Sequence, residues 1–212
     1  MRFGPAHPRG FFERSCLEVA PALIGAYMVR RLGDGTRLAG RIVEVEAYLG
    51  DGSDPGSHCH RGLTRRNRAM FGPPGRLYVY RIYGVHTCAN VVCEAAGRGA
   101  AVLLRAVEPV LGTARMRALR ELPKEAPLRT IASGPGNLCR AFDLRMSDYG
   151  ASMLRGPICL RSPRAGDAPP EVATSRRIGL SQGSDLPFRF YAAGNPCVGR
   201  KPPARESDPG RA

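Results

Sequence analysis

The stretch Val43-Glu44-Val45-Glu46-Ala47-Tyr48-Leu49 sets two carboxylates and a phenol on alternate residues. Side chains two apart in a strand share a face, so Val43, Val45, Ala47 and Leu49 point one way and Glu44, Glu46 and Tyr48 the other. The apolar row is expected to face a core. The second face could activate a water molecule and steady a developing cation, but the same alternation also describes a solvated strand with two exposed glutamates. Period two does not choose between the glutamates. Glu46 lies nearer Tyr48 and the following loop with His58, which makes it the candidate general base and leaves Glu44 with little expected effect on rate.

Three of the seven tyrosines, Tyr78, Tyr80 and Tyr83, fall close together between Arg76 and Gly84, with Arg81 among them. Aromatics interleaved with arginine suit base stacking and phosphate contact; they also suit an ordinary strand packed on its neighbour. Tyr83 stands beside Gly84 at the tip of a hairpin, where a side chain has no core to enter and could wedge between base pairs. Arg105 sits inside the apolar run AAVLLRAVEP, where an unpaired guanidinium would be costly, so a carboxylate partner is expected, with Glu46 the candidate. Asn90, within CANVV, could read a base edge or cap backbone groups.

Composition narrows the partner. Lys and Arg total 32 against 18 Asp and Glu, a net charge of +14, and the isoelectric point of about 10.3 favours a polyanion, nucleic acid ahead of an anionic membrane surface. No apolar run reaches the roughly 18 residues of a membrane helix, and the start lacks the apolar core of a secretory signal. A soluble intracellular protein is expected. The seven cysteines are scattered without a CxxC pair, so they read as reduced thiols, and His58-Cys59-His60 is too local to hold a metal ion.

These residues need elements to hold them. Residues 11–25 read as helical, interrupted near Pro21 and stopped at Gly25. A hairpin follows, turning at Gly33-Asp34-Gly35. Residues 51–67 form a surface loop, and LYVYRIY, VHTCANVVC and AAVLLRAV make a meander. Residues 108–122 are expected to be a helix with Pro109 in its first turn, GNLCRAF a short helix, and 161–173 a Pro-rich loop. Strands in runs with helices outside them give an α+β fold, one compact domain over residues 11–200 with a curved antiparallel sheet. Residues 1–10 are expected to be flexible and 201–212 a disordered polar tail.

The run GRIVEVEAYLG, the pair Ser57-His58, then NRAMFGPPGRLYVYRIYGVHTCANVV and VLLRAVEP resemble the alkyladenine (3-methyladenine) DNA glycosylase family. FFERSCLEVAPALIG, ASGPGNLC, RRIGL, PFRFY and GNP resemble the same family in the same order. Several long motifs in register are far more specific than one short pattern. The resemblance implies a monomeric enzyme that flips a damaged purine out of duplex DNA and hydrolyses its glycosidic bond. It implies Glu46 as the base that activates water, with Arg105 orienting it; Tyr48, His58 and Tyr80 as walls around the flipped base; Asn90 as the group that excludes guanine; and Tyr83 as the filler of the gap in the duplex. It implies no metal and no organic cofactor, and no lysine lies in these motifs to form the Schiff base of a lyase. The chain departs from the family pattern in a loop one residue longer before His58, and in Arg65 and Asn137, where proline and lysine are usual. A non-catalytic nucleic-acid-binding module and an RNA-directed enzyme on the same scaffold remain the alternatives.

Overall fold

The computed structural model describes residues Arg2 to Gly199; the tail expected over 201–212 lies outside them. The fold is α+β, a curled antiparallel sheet with short helices packed against it. Strand β1 (Tyr27–Arg31) turns through Gly35, at φ +83°, into the long β2 (Arg37–Tyr48). The side chain of Asp34 accepts the Thr36 N–H and closes the turn. Strands β3 (Leu77–Ile82), β4 (His86–Cys93) and β5 (Ala100–Leu111) form the meander, and the path through the sheet runs β3-β4-β5-β2-β1, then β6 (Ile158–Arg161). Two further strands, β7 (Val172–Ser175) and β8 (Arg189–Ala192), form a hairpin whose second strand pairs with β2.

Strand β2 is the spine. One edge pairs with β5 along most of its length; the other pairs with β1 over residues 37–41 and with β8 over residues 44–46. The change of partner coincides with irregular register, because Glu44 faces Ala106 while Val45 faces Leu104. Arg105 is therefore an extra residue on β5, and bulges of this kind re-aim side chains beside functional sites.

The apolar row of β2 enters the core as expected. Val43, Val45 and Ala47 pack with Val19 and Leu23 of α2 (Cys16–Leu23), with Val102 and Leu104 of β5, and with Leu138 of the short helix Pro135–Ala141. A second cluster on the opposite face contains Cys59, Met70, Tyr78, Tyr80, Cys88 and Leu103.

Three local expectations need correction. The helix expected over 108–122 begins only at Thr113, as α3 (Thr113–Leu119), because β5 continues to Leu111. Pro109 is accommodated in that strand opposite Gly40, next to a register shift where a ladder N–H is not required; a Cβ on Gly40 would lie 2.6 Å from Val107 Cγ2. The break in 11–25 falls at residues 13–15, between α1 (Arg9–Phe12) and α2, and not at Pro21, which sits inside α2. Ser15 sets the boundary by accepting the Leu17 N–H. In 161–173 the ends are strand: Arg161 closes β6 and Val172 opens β7. Near the start of the chain, Ala6 bridges Arg161, and the His7 N–H donates to the Leu160 carbonyl.

Candidate active site

Glu44 and Glu46 are both fully buried, so the surface reading of the second face does not hold. What buries them arrives from far along the chain: β8 beside β2, and the segment between β7 and β8. Burying two carboxylates is tolerable only if cations and N–H groups satisfy them. Arg105 serves both, its Nε donating to Glu44 Oε1 at 2.8 Å and its Nη1 lying 3.2 Å from Glu46 Oε2. The expected partner Glu46 is thus one of two.

The two glutamates differ in what surrounds them. Glu46 Oε1 accepts the backbone N–H of Ile178 at 2.8 Å, and Oε2 accepts the hydroxyl of Tyr48 at 2.8 Å. Ile178, Tyr48 and Arg105 all line a cavity of about 270 Å³, so the Glu46 carboxylate lies directly behind its wall. Glu44 accepts Arg189 Nε at 2.7 Å on the same oxygen that Arg105 reaches, and the Gly199 N–H at 2.7 Å on the other. Arg189 and Gly199 are not part of the cavity wall. Burial pushes the Glu44 carboxyl up, but Arg105 and then Arg189 outweigh it and hold the group below the ordinary carboxylate range.

Aromatic side chains make the rest of the cavity. Tyr78 and Tyr80, two apart on β3, point to one face and stack with ring centroids 5.3 Å apart. The His58 ring stands edge-on to Tyr80 at 4.6 Å, and its Nδ1 lies 3.0 Å from the Tyr78 hydroxyl oxygen. Partial desolvation there, followed by the charge of Arg66, keeps His58 below the ordinary histidine range, so the ring is neutral at pH 7. Burial first, and then the Glu46 charge, raise Tyr48 well above the usual phenol; Tyr48 remains a hydrogen-bond donor. Asn90 lies opposite Tyr78 and Leu103 in the ladder, donates to the Tyr78 carbonyl at 3.4 Å, and also lines the cavity. Tyr48, His58, Tyr80, Asn90 and Arg105 are therefore brought to one cavity, with Glu46 immediately behind.

Tyr83 stands at the rim, 87% exposed at the tip of the β3–β4 hairpin, with φ of +51°. The loop and hairpin framing the opening carry exposed Arg61, Arg65, Arg66, Arg68 and Arg81. Arg66 reaches over the Tyr80 ring and donates to the Arg81 carbonyl. Among the described residues no three His, Cys, Asp or Glu side chains are placed to hold a metal ion, and no helix is long and apolar enough to cross a membrane.

Sequence reasoning did not single out the pair that assembles this wall. Arg177 and Asp54 are completely buried and joined at two points, Nη1 to Oδ2 at 2.7 Å and Nη2 to Oδ1 at 2.6 Å. The guanidinium also donates to the carbonyls of Ala47 and Gly183 and lies over the Tyr48 ring. It ties the loop bearing His58 to the segment bearing Ile178. Asp54 lies in DGSDPGS, a composition that reads as turn; the signal that could have found the pair is Arg177 in the RRIGL motif.

Over residues 10–196 the chain matches the family described as methylpurine-DNA glycosylase. It is 47% identical to a protein of Methanoculleus marisnigri, over 92% of this chain and 98% of that one. It is 47% identical to a protein of Agrobacterium fabrum, over 94% and 95% of the two chains, and 45% identical to one of Chlorobaculum tepidum, over 91% and 90%. All three are named as candidate 3-methyladenine DNA glycosylases. The buried acid behind an aromatic cavity and a match spanning nearly the whole chain place this protein in the methylpurine-DNA glycosylase family.

Proposed function

We propose that this protein flips alkylated or otherwise damaged purines, of the 3-methyladenine, 7-methylguanine, hypoxanthine and ethenoadenine class, out of duplex DNA, and hydrolyses the N-glycosidic bond to leave an abasic site. Family membership already makes the chain a DNA glycosylase, a hydrolase of N-glycosyl bonds. The observation that carries the finer reading is the Glu46 carboxylate, held behind the cavity wall by Ile178, Tyr48 and Arg105. A carboxylate offers about four lone-pair positions; three are engaged, which leaves one for an attacking water. Glu46 takes the proton of that water while its charge steadies the cationic sugar as the base departs. Arg105 fixes the carboxylate's direction.

A purine alkylated on a ring nitrogen is cationic and already a good leaving group. Tyr48, Tyr80 and neutral His58 are suited to hold it, since electron-rich ring faces attract cations. Asn90, which lines the cavity, is the group we assign to excluding guanine through its exocyclic amino group. Tyr83 fills the space the base leaves, and the arginines around the opening meet phosphate. The resemblance to the family supports a monomer without lyase chemistry; among the described residues no lysine lines the cavity.

Glu46→Gln keeps the shape and removes the charge. The expected result is a loss of about 10²- to 10⁴-fold in single-turnover excision, with affinity for lesion-bearing duplex unchanged or higher. Full activity in this variant would overturn the reading. Release of the free base from alkylated duplex, and none from RNA of the same sequence, separates an enzyme on DNA from a binding module and from an RNA-directed enzyme.

A further inference from the structure

Glu44 was expected to matter little. Its surroundings say otherwise. One oxygen, Oε1, accepts from two guanidinium groups, Arg105 Nε at 2.8 Å and Arg189 Nε at 2.7 Å, while Oε2 accepts the Gly199 N–H. Both Glu44 and Arg189 are fully buried, so neither exchanges these partners for water. Arg189 is held in turn, its Nη1 donating to Ser175 Oγ at 2.9 Å and its guanidinium lying over the Tyr191 ring. Arg105, the extra residue of the β5 bulge, has no opposite neighbour in the ladder to fix its course. Glu44 holds it at Nε, and Nη1 of the same guanidinium rests 3.2 Å from Glu46.

We infer that Glu44 and Arg189 are positioning residues for the glycosylase reaction: they anchor Arg105 from behind, so that Arg105 can orient the Glu46 carboxylate toward the cavity. The inference rests on the reading of Glu46 as the base. Neither Glu44 nor Arg189 touches the substrate; both act through Arg105.

The arrangement is selective for a carboxylate. An amide at position 44 has one accepting end and one donating end. In one orientation its NH2 faces two arginine N–H groups; in the other it faces the Gly199 N–H. Donor meets donor either way, so Glu44→Gln is not a silent replacement, and two guanidinium charges are left to a single remaining glutamate.

The test measures three variants, Glu44→Gln, Glu44→Asp and Glu46→Gln, for single-turnover excision and for affinity toward the same lesion-bearing duplex, each normalised to the active fraction. Glu44→Asp keeps the buried charge balance but withdraws the carboxylate by one methylene from Arg105; a thermal melt confirms that each variant is folded. The inference expects the excision rate to fall on the order of 100-fold in both Glu44 variants, as a misplaced catalytic group does, while duplex affinity stays within a factor of two or so of the parent. If Glu44→Gln does not fold, Glu44→Asp decides alone by the same measure. A parental rate in Glu44→Asp, or a loss of duplex affinity equal to the loss of rate, overturns the inference. Failure of the underlying reading looks different: Glu46→Gln itself would remain active.

Discussion

Removing the Asp54 carboxylate should cost this protein much of its stability, although the residue lies in a loop of turn-like sequence. In Asp54→Ala the guanidinium of Arg177 stays buried and loses two charge-assisted bonds, at 2.6 and 2.7 Å. The backbone N–H groups of Leu49 and Gly56, which Asp54 also accepts, lose their partner too. Breaking a buried pair by deleting one member typically costs about 3–5 kcal/mol, because the survivor is left charged and uncompensated. Against a total stability of about 5–15 kcal/mol that is a large share. At about 2–4 °C per kcal/mol for a domain of this size, the melting temperature should drop by roughly 6–20 °C. The companion variant is Asp54→Ala with Arg177→Met, which removes both charges and lets methionine fill the space between the Tyr48 and Phe188 rings that Arg177 now occupies. It should be more stable than Asp54→Ala alone, and its loss should be smaller than the sum of the single losses by about 2 kcal/mol or more. Thermal and urea melts of the four proteins complete the cycle. A drop under 2 °C or so in Asp54→Ala, or strict additivity in the cycle, would refute the argument that the charge pair holds the loop to the Ile178 segment.

Two further outcomes follow from single side chains. Tyr83→Ser should leave the melting temperature nearly unchanged, since the ring is exposed, and should lose retention of the extruded base; a fluorescent base analogue at the lesion reports this, and extrusion as complete as in the parent would rule out the wedge. His7 is held down to about 4 by burial and then by Arg14, and its Nε2 meets no partner among the described residues. An unfolded His7 takes up a proton near 6.5, so the unfolded state binds more protons between those values and stability falls as pH drops through that window. Urea midpoints at pH 7 and pH 4.5 should show the fall, and His7→Leu should lessen it; an identical pH dependence in the variant would count against this.

Much of the architecture is written locally. Gly33-Asp34-Gly35 marks the first hairpin, Gly84 the second, and alternation in β2 separates the core row from the row bearing Glu44, Glu46 and Tyr48. The burial of that second row is not local. Its cover comes from Ile178, Arg189 and Gly199, more than 130 residues later, and no pattern within residues 43–49 records their arrival. β6, β7 and β8 escaped notice because each has only four residues, too few for a period to show, and VATS reads as loop. The end of β5 was misread because Pro109 is as acceptable in a helix's first turn as beside a bulge. Asp54 was hidden by its own chemistry, since aspartate between glycines is the ordinary composition of a turn.

The distance along the chain between β2 and its cover also orders events in time. A nascent chain synthesised only as far as Glu171 already contains Glu44, Glu46, Arg105 and the tyrosines, yet lacks the Ile178 N–H, Arg177, Arg189 and the Gly199 N–H. Of the groups that surround the two glutamates in the full fold, such a chain contains Tyr48 and Arg105 but none of those supplied after residue 175. The segment that covers the glutamates and, through Arg177, ties the His58 loop in place is thus synthesised after the rest of the site. On the proposal that Glu46 is the base, its surroundings are complete only once the β7–β8 hairpin has paired with β2 and brought the Ile178 N–H to the carboxylate.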